Sequence, residues 1–374
     1  MKAKEKLNSG ITLVALVITI IILLILAGIT ISSLTNTGLF GKAKEAKEKT
    51  QEAEKNQAKI LDEYETALNQ YDEKTFVYKV NSGEIKVGDY VSYTPDTVST
   101  DAILQELGTY SGSDANTTST LTQEKDLKWR VLDVQNGQVR LISEVPTIST
   151  ISLSGAKGYN NAVYLLDKTC KTLYNNSNLA SNVQNLKIED VQKYLTYDYK
   201  QFENSEVDTG KYGGTKEYVT NKNYPNIFAR EKTGWVDGTQ GTELGLSEQT
   251  QPIDETSTQA ETSIKVTETF WNKVMTSDDF TNSKYYELFI NNGSNNLTYW
   301  MSSRCVLPIS GVTDFRVRNV DAGAISANYL CNSIGRDFPF NHAFRPIVTL
   351  NSNVQIDTAN SGDGSTAEHA YIIK

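Results

Sequence analysis

An uncharged, largely apolar run from Ile11 to Ile31 constrains this chain more than any other feature. At about 1.5 Å of rise per helical residue, such a run reaches roughly the 30 Å of a bilayer's hydrocarbon layer. Lys2, Lys4 and Lys6, partly offset by Glu5, precede it, and short basic flanks stay on the cytoplasmic side. The expectation is a single-pass helix in the cell membrane, N-terminus cytoplasmic, with the rest of the chain at the cell surface. The run exceeds the apolar core of a cleaved secretory signal, about 7 to 15 residues.

The junction Ser9-Gly10-Ile11-Thr12-Leu13-Val14 resembles the type IV prepilin signature. The resemblance implies that a prepilin peptidase cuts between Gly10 and Ile11 and that Ile11 becomes the N-methylated mature end. It also implies the membrane, through residues 11–31, and other pilins as partners. The family's usual glutamate at the fifth mature position is Ala15 here, which points away from a major pilin. A proline-free stretch from Gly41 to Lys74, rich in Ala, Lys, Glu and Gln, predicts that the helix continues as a stalk. Its stripe becomes strongly apolar only at Ile60, Tyr64, Leu68 and Tyr71, whose turns are expected to dock on the head. The expected layout is a leader over 1–10, a transmembrane and stalk helix over 11–75, and a globular head over 76–374.

After Phe76 the pattern turns to short β-rich runs: Tyr78 to Val80, Tyr90 to Tyr93, Trp129 to Val134 and Val139 to Ser143. Asn136-Gly137 between the last two is a hairpin signal. Helices are expected over Ala162–Leu173 and Ile188–Tyr194, and the turn-rich stretch Glu243–Ser263 reads as a surface loop. Three later strands, within Tyr299–Arg304, Phe315–Val320 and Phe344–Leu350, resemble the C-type lectin-like fold in its formylglycine-generating-enzyme branch, over about 129–350. The expected fold class is therefore α+β, a long N-terminal transmembrane and stalk helix followed by a mixed α+β C-type lectin-like head.

Between Ser302 and Val354 there is no Lys, Gln, Glu, Met or Trp, while Arg304, Arg316, Arg318, Arg336 and Arg345 all fall there. The five missing types are those that an AAY asparagine codon cannot reach through changes at its adenines. C-type lectin-like domains are the usual targets of diversity-generating retroelements, which miscopy template adenines into a C-terminal variable region. The resemblance thus implies a variable segment over 302–354. Exposed β-loops that simply avoid Lys and Glu would give the same composition. Strand alternation makes Phe315, Val317, Val320, Gly323, Ile325, Leu330 and Arg345 scaffold. Ser310, Asp314, Arg316, Asn319, Asn328, Arg336, Asp337, Phe338, Phe340, Asn341 and His342 are then the candidate ligand-binding residues, a mixture of aromatic, charged and adaptable polar groups suited to recognition.

A net charge of -9 and a pI near 5.0 exclude a nucleic-acid backbone binder, which needs clustered Lys and Arg. Cys170, Cys305 and Cys331 lack C-x-x-C spacing, so no zinc site is expected; free thiols are the expectation, with Cys305 and Cys331 the nearest candidate pair. His342 and His369 sit in no catalytic motif, and no cofactor or metal is expected. Two functions stand: a pilin-like surface protein whose head binds a protein or glycan ligand without catalysis, or a minor pilin or pseudopilin with a structural role in a type IV pilus or secretion filament.

Overall fold

The computed structural model describes residues 39–118, 121–198, 207–212, 262–266, 270, 272–290, 298–309, 312–332 and 336–374. Two units divide the chain after Glu65. The described part of the first is helical and belongs to α1 (Leu39–Asn69), whose sequence is polar and alanine-rich.

The second unit carries α2 (Phe76–Asn81), α3 (Asp101–Tyr110), α4 (Ala115–Thr118), α5 (Gly155–Tyr174), α6 (Ile188–Gln192) and α7 (Ser283–Phe289). Its first mixed sheet has the order β14-β1-β2-β3-β13-β5, built from β1 (Tyr90–Ser92), β2 (Trp129–Gln135), β3 (Gln138–Ser143), β5 (Ala180–Asn185), β13 (Pro346–Leu350) and β14 (Tyr371–Ile372). The second has the order β4-β12-β9-β10-β11-β8, from β4 (Thr150–Ser154), β8 (Lys273–Val274), β9 (Tyr299–Ile309), β10 (Val312–Asp321), β11 (Ala324–Asn332) and β12 (Pro339–Phe344). A two-stranded ribbon joins β6 (Val207–Tyr212) to β7 (Thr262–Val266).

Local chemistry sets the element boundaries. Asn136 and Gly137 both take positive φ, 51° and 74°, as a two-residue turn between β2 and β3 demands. Thr75 caps α2 by accepting a hydrogen bond from the Tyr78 amide at 3.3 Å, and Phe76 and Val77 pack into the core. That cap turns Tyr78 to Val80, β-rich by composition, into helix rather than the expected strand.

Strand alternation divides the apolar residues between two cores. Trp129, Val131, Leu141 and Val348 of the first sheet join Phe315, Val317, Trp300 and Phe344 of the second and the buried face of α5 in one cluster. Ile142 and Ile347 point the other way, with Tyr299, Met301, Val320, Ile325 and Phe289. Arg345 stands alone between β12 and β13, which enter different sheets, and it is wholly buried. Its guanidinium donates to the carbonyls of Ser143 (3.1 Å), Glu144 (2.9 Å) and Phe289 (3.2 Å), and its amide to Asn185 Oδ1 at 2.7 Å. A charge so deep survives because its donors are spent on backbone acceptors that would otherwise be unsatisfied.

The structure corrects the expected fold class and location. Among the described residues no helix is long and apolar enough to cross a membrane, so a single-pass anchor is not supported. The helix in the stalk position is polar, and the second unit rests on two six-stranded mixed sheets. The Gly10–Ile11 junction and the run from Ile11 to Ile31 lie outside the described residues, as does the loop expected over 243–263 except for its last two residues, which belong to β7. All three cysteines are buried and none is in a disulfide. Cys305 and Cys331 lie on β9 and β11 with β10 between them, about 10 Å at two strand spacings, beyond the reach of a disulfide.

Candidate ligand-binding surface

The β10–β11 hairpin closes through Ala322 and Gly323, at φ 46° and 84°, the same two-residue turn chemistry as in β2–β3. Further along, register shifts between Phe315 and Arg316 and between Val317 and Asn319 interrupt the ladder. Bulges of this kind re-aim side chains. Phe315 and Val317 are buried on one face of the sheet and Val320 on the other, because both faces of β10 are covered.

Arg316 faces Tyr329 across the strand pair. Its guanidinium lies 5.2 Å from the Tyr329 ring centre and 4.8 Å from that of Phe270, donates to Asp314 Oδ2 at 2.7 Å and to the Ala327 carbonyl at 3.1 Å. Tyr329 meets Phe338 edge-on at 4.3 Å between ring centres and Phe340 at 6.2 Å. Phe340 continues to His342 at 6.2 Å, and His342 to the buried Trp300 at 4.3 Å. The result is a row of rings with a cation at one end and an imidazole at the other.

A polar chain runs through the histidine end. Asn319 Nδ2 donates to Asn328 Oδ1 at 2.6 Å, and His342 Nε2 lies 2.8 Å from the same oxygen. An amide oxygen only accepts, so this places the imidazole proton on Nε2 and leaves Nδ1 an acceptor. Burial holds the His342 pKa down at about 4 against the opposing charge of Asp321, so the ring is neutral near pH 7. Asn319 Oδ1 and Arg316 Nε are buried with no hydrogen-bond partner among the described residues.

Of the sequence-predicted residues, the structure gathers Arg316, Asn319, Asn328, Phe338, Phe340 and His342 into this surface, with Asp314 as the counter-ion of Arg316. Asp314 and Asn319 are themselves buried, at 6% and 2% exposed. Asn341 and Arg336 are exposed. Asn341 Oδ1 accepts from Ser152 Oγ at 3.0 Å, and the Arg336 amide donates to Asn332 Oδ1 at 3.0 Å. Asp337 bridges to Cys331 and sits against Gly155, where an added Cβ would come within 2.8 Å of its carboxylate. Ser310 lies outside the described residues. Sequence reasoning missed Tyr329, Trp300 and Phe270 as members; Tyr329 was legible as an aromatic next to the scaffold Leu330 on a strand, which turns it to the opposite face.

The partner of His342 is an amide, neither nucleophile nor carboxylate, and among the described residues no group of three or more His, Cys, Asp or Glu could hold a metal ion. No family model, curated protein or solved structure matches this chain.

Proposed function

We propose that this chain is a ligand-binding protein, without catalysis, whose recognition surface is the row Arg316, Tyr329, Phe338, Phe340 and His342 with the amides of Asn319 and Asn328, carried on β10, β11 and β12. The observation that carries the reading is the coincidence of that surface with the segment 302–354, from which Lys, Gln, Glu, Met and Trp are missing. Stiff aromatic rings supply contact area at low entropic cost, and Asn, His and Arg supply adaptable hydrogen bonds, the division of labour found in binding loops. Adenine-directed diversification of this segment accounts for the missing residue types. The ligand class is a protein or a glycan.

The test is the pattern of natural variation. Sequencing the region encoding 302–354 from many copies of the gene should find substitutions at Arg316, Asn328, Phe338, Phe340, Asn341 and His342 confined to residue types encoded by NNY codons. Phe315, Val317, Leu330 and Arg345 should stay fixed. Variation spread evenly over both sets, or Lys and Glu at the exposed positions, sinks the diversification reading.

A further inference from the structure

A second concavity, of about 560 Å³, opens where the β2–β3 turn, β5, α6 and the start of β9 meet. None of the aromatic or amide residues of the β10–β12 surface lines it. Its character is opposite. Val163 is its sole apolar lining residue, no aromatic ring faces it, and planar amides dominate: Gln135, Gln138, Asn182 and Gln184.

Of the five charged side chains in its walls, Arg140, Asp190 and Lys187 are ion-paired, the Arg304 guanidinium lies 5.7 Å from the Tyr159 ring centre, and Glu189 Oε2 accepts from Ser303 Oγ at 3.4 Å. Arg140 donates to Asp133 at 2.7 and 2.6 Å and also to Asp190, and Lys187 sits 3.2 Å from Asp167. A nucleotide or other polyanion would find no uncommitted cationic cluster among these groups, and a lipid or nucleobase would find no apolar wall. What remains is dense, neutral hydrogen-bonding capacity. Gln138 Nε2 donates to Ser181 Oγ at 3.0 Å and Asn182 Nδ2 to Gln184 Oε1 at 3.4 Å, and the further donors and acceptors of these lining amides, with the Thr349 hydroxyl, are the groups the cleft can offer a ligand. Paired donors and acceptors on planar side chains match the adjacent hydroxyls of a sugar ring, each of which both donates and accepts.

The walls are also fixed in advance. Ser302 donates its amide to the Leu186 carbonyl at 2.8 Å, and Ser303 Oγ accepts from the Ile188 amide at 2.9 Å, joining β9 to the entry of α6. The Arg140 ion pairs hold the floor. A preformed site avoids the ordering cost that weakens polar recognition.

We infer that this cleft is a second ligand site that binds a neutral oligosaccharide, and that its specificity is constant while the β10–β12 surface varies. The constancy, which rests on the proposed diversification, follows from the larger part of the lining: Gln135, Gln138, Gln184, Lys187 and Glu189 lie outside 302–354 and are of types that segment lacks, and of the four lining residues inside it, Ser302, Ser303, Arg304 and Thr349, the first three are buried in β9. The sugar site itself does not depend on that reading.

The experiment is a screen of the full chain against an array of bacterial and mammalian oligosaccharides, followed by calorimetric titration of the best neutral hit into the parent protein, the double variant Asn182→Ala with Gln184→Ala, and the double variant Phe338→Ala with Phe340→Ala. The expected result is a neutral oligosaccharide whose Kd rises at least tenfold in the Asn182/Gln184 variant at unchanged Tm, and is unchanged in the Phe338/Phe340 variant. Absence of any neutral hit, or unchanged affinity in the Asn182/Gln184 variant, overturns the inference. Loss in the Phe338/Phe340 variant alone also overturns it, and moves sugar binding to the β10–β12 surface.

Discussion

At the scale of single residues, two buried groups make opposite demands on protons. His342 is buried neutral, its pKa pushed down to about 4 from the ordinary 6.5. A histidine depressed in the fold contributes stability in full above its unfolded value, and that contribution is lost as pH falls from 6.5 toward 4. The parent protein should therefore lose stability relative to His342→Gln across that window, read as converging urea midpoints between pH 7 and about pH 5. Parallel midpoints would contradict the burial assigned to His342. Arg345 stays charged, held by three carbonyls from two segments, Ser143–Glu144 and Phe289. Arg345→Ala leaves those acceptors unpaired in the interior, and a loss of about 3 to 5 kcal/mol by denaturant unfolding is expected. The sequence marked Arg345 as scaffold because strand alternation turns it toward a core or a fixed turn. Its role in joining two sheets was not legible, because only the fold shows that β12 and β13 part company at that residue.

At the scale of elements, turns were the readable features and caps and register were not. Asn136-Gly137 announced the β2–β3 hairpin because few other dipeptides accept two positive φ values. The run Tyr78 to Val80 misled because the Thr75 cap and the burial of Phe76 and Val77 override strand propensity over so short a stretch. In β10 the spacing of Phe315, Val317 and Val320 conceals two register shifts, and Asn319, which shares the alternation of Phe315 and Val317, is buried with its amide on Asn328. The entry of α5 rests on another contact without sequence signature: a Cβ on Gly158 would lie 2.4 Å from the Ser111 carbonyl oxygen. Backbone cannot yield there as a flexible side chain could. Gly158→Ala should lower stability by about 1 to 3 kcal/mol, measured by denaturant unfolding, and shift the α3–α5 contact rather than the β10–β12 surface.

At the scale of the whole molecule, the polar ion network and the aromatic surface divide structural from functional labour. Burial alone would raise Asp133, but the hydrogen bonds and charge of Arg140, with Tyr194 and Lys193, hold its carboxyl below the ordinary 3.8. A depressed carboxylate stabilises above its unfolded pKa and loses that contribution as pH falls through the folded value. Acid below about pH 4 should unfold the second unit, and Asp133→Asn should flatten that limb of the stability profile while lowering stability at pH 7. The β10–β12 surface has no such duty. Its exposed and half-buried members, Arg316, Asn328, Phe338, Phe340, Asn341 and His342, stand on fully buried neighbours, Phe315, Val317, Leu330 and Phe344, so the surface can change while the floor stays.

The most direct test of that division is a library of the full chain in which the codons for Arg316, Asn328, Phe338, Phe340, Asn341 and His342 are replaced by NNY and the displayed protein is selected against immobilised lysozyme as a probe ligand. The account predicts that most members keep a cooperative unfolding transition within a few degrees of the parent, and that selection yields lysozyme binders differing from the parent at these positions alone. A library that folds but yields no binder, or one in which most members do not fold, would contradict it.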